Sequence, residues 1–261
     1  MNSPANLAAI KMQEVTVSSR RDGARPVLAG VNWTVAPGEF WVVSGLQRSG
    51  KTDFLMLTAG LLNPLAGSYE LFGRETVEFG EAELAERLQV AYVFEEGQLF
   101  HQLTIAENIA LPLRYHRNLD AVEAVRETLG LLELLELTPL AGAAPGSVSR
   151  DWLKRAALAR SLVMGPKMLL CDNPLHGLGH RHRQWWLKFL DQLWHGHDQL
   201  GGQPMTVVVT TDELGPWKLP ERQFALLRDQ QFFQLGSWVQ AAGSGDPVFH
   251  ELLTAPPEHN I

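Results

Sequence analysis

Gly45, Gly50, Lys51 and Thr52 stand at the spacing G-x-x-x-x-G-K-[ST], which is the P-loop pattern. The apolar, β-prone run Phe40-Trp41-Val42-Val43 precedes it, and 53–59 reads as a helix. Strand, glycine loop and helix in that order aim backbone N–H groups and the positive end of the helix dipole at one point, where a diphosphate is stabilised. Lys51 then reaches the β- and γ-phosphates, and the Thr52 hydroxyl becomes a Mg²⁺ ligand. The candidate nucleotide-binding residues are therefore Gly45, Leu46, Gln47, Arg48, Ser49, Gly50, Lys51, Thr52 and Asp53. The pattern alone also describes a glycine-containing turn; the flanking strand and helix favour the nucleotide. A second carboxylate element follows at Leu169-Leu170-Cys171-Asp172. An Asp ending an apolar strand beside a P-loop strand holds Mg²⁺ directly or through water, and otherwise caps the next turn.

The elements that must position these residues read as an α/β chain. Weak alternation over 12–17 predicts an edge strand, and 27–35 a second strand closed by Ala36-Pro37-Gly38. Strands are further expected at 67–73 and 88–94. From 101 to 148 no strand is legible. Thr104-Ile105-Ala106-Glu107 and Asp120-Ala121-Val122-Glu123 have capping-box spacing. Val122, Val125, Leu129, Leu132 and Leu135 then recur at helical spacing. Helices are expected at 152–163, 180–194 and 246–253, a buried parallel strand at 205–210, and a hairpin turning at Asp229-Gln230. Residues 1–10 read as a loose leader.

The chain has 261 residues, 45% hydrophobic and 20% charged, with net charge −7. That size suits one large domain or two small ones, and the acidity lacks the basic footprint of a nucleic-acid binder. The single Cys171 admits no internal disulfide, which points to a reducing compartment. No signal-peptide core stands in 1–20. No apolar run approaches the ~18 residues of a membrane span, so no direct membrane insertion is expected. His180, His182, His195 and His197 fall in two pairs about four helical turns apart, too far for one ion on a straight helix. They read as a helix face packed on the domain. Cys171 reads as a buried strand residue, and Trp33, Trp41 and Trp238 as packing.

Several segments in fixed order resemble the nucleotide-binding subunits of ABC transporters along nearly the whole chain. They are the P-loop at 45–52, a strand and loop at 92–100, the run 103–113, the helix segment 154–162, Asp172-Asn173-Pro174, and 207–214. Within that family Leu111-Pro112-Leu113-Arg114, Gly245-Asp246-Pro247-Val248-Phe249 and the Arg-rich stretch 18–25 are similar to the Mla- and Mce-type lipid-transport ATPases. The resemblance implies a P-loop NTPase fold with a mixed or parallel core sheet, an N-terminal antiparallel β subdomain and a helical subdomain at about 101–160. It implies one ABC-type domain over 10–240 with a short tail at 241–261. It further implies ATP and Mg²⁺ as ligands, with Thr52, Asp172 and Glu95 around the metal. The implied partners are a membrane permease and a second ABC ATP-binding subunit, identical or not, at the cytoplasmic face of a membrane.

The departures from the family pattern carry functional content. The family's water-polarising Glu is Asn173, whose amide cannot accept a proton; general-base assistance is worth about 10²–10⁴ in rate. Its switch His is Thr211, its Mg²⁺-shell Gln is Glu95, and an Asp of the following loop is Gly179. The signature segment is Val148-Ser149-Arg150-Asp151-Trp152, where only Ser149 follows the family. Arg48 replaces a P-loop glycine, and the aromatic that often stacks on adenine falls near Ser19. The resemblance thus implies a transport subunit that binds ATP–Mg²⁺ but hydrolyses it weakly or not at all. The alternative is a regulatory or scaffold protein on the same fold.

Overall fold

Two sheets, joined through the P-loop unit, organise the chain. The computed structural model describes residues 7–75 and 87–254. The start of the leader expected at 1–10 and the end of the tail expected at 241–261 lie outside the described residues. In chain order the elements are β1 (Ile10–Ser18), β2 (Pro26–Val35), β3 (Phe40–Gly45), α1 (Lys51–Thr58), β4 (Ala66–Leu71), β5 (Arg74–Glu75) and β6 (Val90–Val93). Then come α2 (Ile105–His116), α3 (Ala121–Glu127), α4 (Leu129–Leu134), α5 (Arg150–Leu162), β7 (Met168–Cys171) and α6 (His180–His195). β8 (Thr206–Thr211), β9 (Gln223–Arg228), β10 (Gln231–Ser237), α7 (Trp238–Ala242) and α8 (Pro247–Thr254) follow.

The smaller sheet has the order β2-β1-β4-β5 and is antiparallel throughout. β1 is therefore a central strand, not the edge strand its weak alternation predicts. The alternation is weak because the ladder is irregular: the register shifts between Met12 and Val15, and Glu14 has φ 51°. A bulge there breaks the period of two, yet Met12, Val15 and Val17 all reach the core. Trp33 and Trp41 meet edge-on at 5.4 Å across this layer, as packing residues.

The larger sheet has the order β10-β9-β3-β8-β7-β6, parallel except for the terminal hairpin. β3, β7 and β8 are buried at every position, which is why each carries consecutive apolar residues, as at 40–43, 168–171 and 207–209, rather than alternating ones. Asp229 and Gln230 both have positive φ, 52° and 59°. That pair matches the strand twist in a two-residue hairpin. Parallel neighbours on both sides of β3 place the C-terminal ends of β3, β7 and β8 on one edge, where a ligand crevice forms in such sheets.

Between β6 and β7 the described residues contain helices and turns. Thr104 caps α2 reciprocally: Glu107 N–H donates to its hydroxyl at 3.2 Å, and Thr104 N–H donates to the Glu107 carboxylate at 2.8 Å. Thr104→Ala is expected to cost about 1 kcal/mol, read as a lowered denaturation midpoint at unchanged slope. The Asp120 carboxylate accepts from Val122 and Glu123 N–H. The apolar stripe expected after it does not form one buried face. The helix breaks at Thr128, whose hydroxyl donates to Val125 O, and the phase changes. Leu132 and Leu135 stay in the core, while Val122 is 81% and Leu129 56% exposed.

α5 packs under this helical layer through Ala156, Ala157, Leu158 and Ala159. Its Arg155 is 1% exposed, with the guanidinium 3.8 Å from the Trp185 ring centroid and 4.6 Å from that of Trp152, and it ion-pairs with Glu136 at 2.9 Å. Arg155→Ala removes both stacks and leaves a cavity between two indoles. We expect a loss of about 3 kcal/mol by chemical denaturation. α6 contributes Trp186, Phe189, Leu190 and Leu193 to the same core. α8 buries Phe249 and Leu252, and Phe249 lies 5.9 Å from the Trp238 ring. Cys171 is fully buried, which pushes its thiol up, out of the reactive range. Among the described residues no helix is long and apolar enough to cross a membrane.

Candidate functional site

β3 ends at Gly45, where a side chain has no room: a Cβ there would lie 2.4 Å from Ser49 Oγ and 2.8 Å from Leu227 O. The loop then turns into α1 through Gly50, with φ 93° and no side-chain cap on the helix. The first-turn N–H groups are thus left to an external acceptor, and they suit an anion. Arg48 has φ 64° in this loop, a left-handed conformation that costs a branched or long side chain roughly 1 kcal/mol relative to glycine. Ser49 Oγ is buried with no hydrogen-bond partner among the described residues.

Lys51 lies across the loop and donates to Gly45 O at 2.6 Å and Leu46 O at 2.8 Å. Burial pulls its pKa below the usual lysine value, against the opposing pull of Asp212, Asp172 and Glu95. These groups face a common cleft of about 590 Å³. Gln47, Arg48, Gly50, Lys51, Thr52 and Asp53 line it from the loop side, and Glu95, Asp172 and Asn173 from the facing strand ends. Gly45, Leu46 and Ser49 shape the loop from behind and are not on the wall.

Asp172 leaves β7 buried and doubly held. Thr210 Oγ donates to its Oδ1 at 2.7 Å and Tyr92 OH to its Oδ2 at 3.4 Å. Burial first, and Asp172 second, push the Tyr92 phenol well above its ordinary value, so it stays a donor. Asn173 takes φ 41°, a region Asn tolerates better than most residues. Its N–H donates to Thr210 Oγ at 3.1 Å, and its Nδ2 donates to Glu95 Oε1 at 3.3 Å and to Asp212 Oδ2 at 3.2 Å. The amide thus bridges two carboxylates. Burial raises the Glu95 pKa, while His176, with Nε2 at 3.7 Å, lowers it. Lys154 fixes this turn from below, donating to the carbonyls of Asn173, Pro174 and His176; burial takes its pKa down to about 8.

Thr211 and Ser149 are not on the cleft wall. Thr211 is 1% exposed, and its hydroxyl is used by its own loop: it donates to Glu213 O and accepts from Glu213 N–H and Trp217 Nε1. Ser149 heads α5 without a side-chain cap bond. The next two residues are tied within the chain: Arg150 pairs with Glu96 and lies against Gly177, and Asp151 lies 3.6 Å from His182. His182 has its pKa lowered by burial, so that contact is not ionic at neutral pH. Gly179 is the residue before α6, beside Asp151.

Arg20, Arg21, His176 and Asp212 also line the cleft, and the sequence reading gave none of them a role there. Asp212 follows the strand end at Thr211, so its neighbourhood was legible. The arginines were visible only as a polar stretch. The metal-binding candidates Thr52, Asp172 and Glu95 offer oxygen donors alone, as Mg²⁺ prefers. Among the described residues no three His, Cys, Asp or Glu side chains converge as a metal cage. The donors present therefore fit an ion completed by phosphate and water oxygens.

Residues 28–176 match the family model described as ABC transporter. A sulfate/thiosulfate import ATP-binding protein of Caulobacter vibrioides is 33% identical over 230 residues, 87% of this chain and 65% of that protein. A probable ribonucleotide transport ATP-binding protein of Mycobacterium tuberculosis (strain H37Rv) is 36% identical over 169 residues, 63% of this chain and 46% of its own length. The chain thus spans between 46% and 65% of the length of these curated relatives. Among solved structures, an ATP-binding cassette in a dimeric post-hydrolysis state bound to ADP and Pi superposes with a TM-score of 0.74 at 26% identity. It covers 87% of this chain and 98% of its own.

Proposed function

This chain belongs to the ABC transporter family, and on that premise we propose that it is the ATP-binding subunit of a transporter, with hydrolysis weak or absent. One observation carries the reading: Lys51 and Thr52 after β3 and Asp172 after β7 converge on one cleft, with β8 between the two strands rather than the direct neighbourhood expected from the sequence. Lys51 exchanges its bonds to Gly45 O and Leu46 O for phosphate oxygens, and the α1 amides take the β-phosphate. Thr52, Asp172 and Glu95 are the residues that would hold Mg²⁺. When bound, Mg²⁺ spreads the charge of the β- and γ-phosphate oxygens.

The groups that would activate water are diverted. Asn173 supplies no base: its Nδ2 donates to Glu95 and Asp212, and a carboxamide oxygen can accept a hydrogen bond from water but not its proton. Thr211 is turned into its own loop. In a dimer, Arg150 and Asp151 would face the partner's nucleotide in place of a glycine backbone, and Arg150 is ion-paired in cis to Glu96. The chain docks on a membrane permease through the surface at 95–111, on the cytoplasmic side, beside a second ATP-binding subunit. Its cargo class is lipid, on the similarity of 111–114 and 245–249 to lipid-transport ATPases. Leu113 and Phe249 in those segments are also core residues.

A second reading, a non-hydrolysing regulator or scaffold, is favoured by the same diverted groups. Phosphate release at saturating ATP–Mg²⁺ separates them, measured on the chain alone and with its natural partner subunits. Turnover that appears with the partners supports the transport subunit. Binding without release in either setting leaves the regulator.

A further inference from the structure

We infer that this cleft selects its ligand by polyphosphate charge and not by base identity, through Arg20, Arg21 and Arg48. The inference deepens the nucleotide-binding reading and rests on it. Ser19 and Val27 also line the cleft, and among the described residues no Phe, Tyr or Trp does. The one ring on the wall among the described residues is the His176 imidazole, 3.7 Å from Glu95. Four basic side chains, Arg20, Arg21, Arg48 and Lys51, line the cleft against four carboxylates. Arg20 and Arg21 come from the loop after β1, and Arg48 from the tip of the P-loop, beside Lys51.

The arginines are held in place by their backbones. Arg20 N–H donates to Asp53 Oδ1 at 2.8 Å, which ties the loop to the first turn of α1. Arg21 N–H donates to Ser19 Oγ, Ser19 N–H to Arg25 O, and Arg25 N–H to Asp22 O, so the loop is closed on itself. The charge of Arg20 also reaches the phenol of Tyr92, the residue that donates to Asp172. The facing carboxylates are Asp53, Glu95, Asp172 and Asp212. Asp172 and Glu95 are the metal donors and Asp53 holds the Arg20 amide, so the guanidinium groups remain for phosphate oxygens. A planar guanidinium also stacks on any base, because every base has a π-face.

The test is calorimetric titration of the full chain with Mg²⁺ and, separately, ATP, CTP and inorganic tripolyphosphate. We expect ATP and CTP to agree within about fivefold. Tripolyphosphate should bind within about tenfold of ATP. Arg20→Gln combined with Arg48→Gly should weaken all three in parallel by about tenfold or more, with a shallower salt dependence. Arg48→Gly also relieves a positive φ, so loss of affinity there reports the guanidinium and not a damaged loop. ATP more than about 50-fold tighter than CTP overturns the inference while leaving nucleotide binding intact. Unchanged affinities in the double variant overturn it as well. If none of the three binds at millimolar concentration, the nucleotide reading falls and the inference with it.

Discussion

Lys51→Ala is expected to weaken ATP–Mg²⁺ binding by at least about 100-fold in calorimetric titration, because it removes a charge-assisted donor from a poorly solvated site. Burial already lowers the Lys51 pKa, and the carboxylates Asp212, Asp172 and Glu95 hold it against that pull. Its bonds to Gly45 O and Leu46 O are ones that a phosphate can replace. The same change costs little stability. It removes two hydrogen bonds and also one desolvated cation, and it leaves the Gly45 and Gly50 geometry of the loop in place. The expected change in unfolding free energy is within about 1 kcal/mol. An affinity for ATP–Mg²⁺ that survives the substitution would place the ligand elsewhere. A large fall in thermal stability would show that Lys51 is chiefly a strut of the empty loop.

The P-loop was legible because its chemistry is local: glycines that need room or positive φ, and a Lys and Thr that open the helix, all sit within eight residues of one another. The parallel core was legible for a related reason, since strands covered on both faces carry consecutive apolar residues, as in Val207-Val208-Val209. What failed to show in the sequence depends on irregular backbone. The bulge at Glu14 hid a central strand, and the break at Thr128 turned a regular apolar stripe into two short helices with Val122 and Leu129 outside the core. Side-chain direction from loops was equally hidden. Thr211 and Ser149 fall at aligned positions but do not line the cleft, while Arg20, Arg21 and Asp212 do. Alignment supplies a position; only the local hydrogen bonds say where its side chain is spent.

If hydrolysis is weak or absent, as proposed above, the pairing of Asn173 with Glu95 gives the most direct way to raise it. The family resemblance puts an amide where Glu95 stands and a carboxylate where Asn173 stands, and the two are in contact at 3.3 Å. The double exchange Glu95→Gln with Asn173→Glu keeps one carboxylate and one amide in the pair. It puts the proton acceptor next to Asp172, at the end of β7. We expect phosphate release to rise by about 10²-fold over the parent chain, the lower part of the range for general-base assistance. Asn173→Glu alone should give less, because it sets a third carboxylate against Glu95 and Asp212, which the Asn173 amide now holds apart. Either variant meets a backbone cost of roughly 1 kcal/mol, since residue 173 has φ 41° and Glu adopts that region less readily than Asn. The measurement is steady-state phosphate release with ATP affinity determined in parallel, so that a change in turnover is read at saturation. If the double exchange binds ATP and still releases no phosphate, the missing base is not the limiting departure. The cause then lies in the signature segment, where Arg150 and Asp151 are tied to Glu96 and His182 and a second subunit would have to meet them.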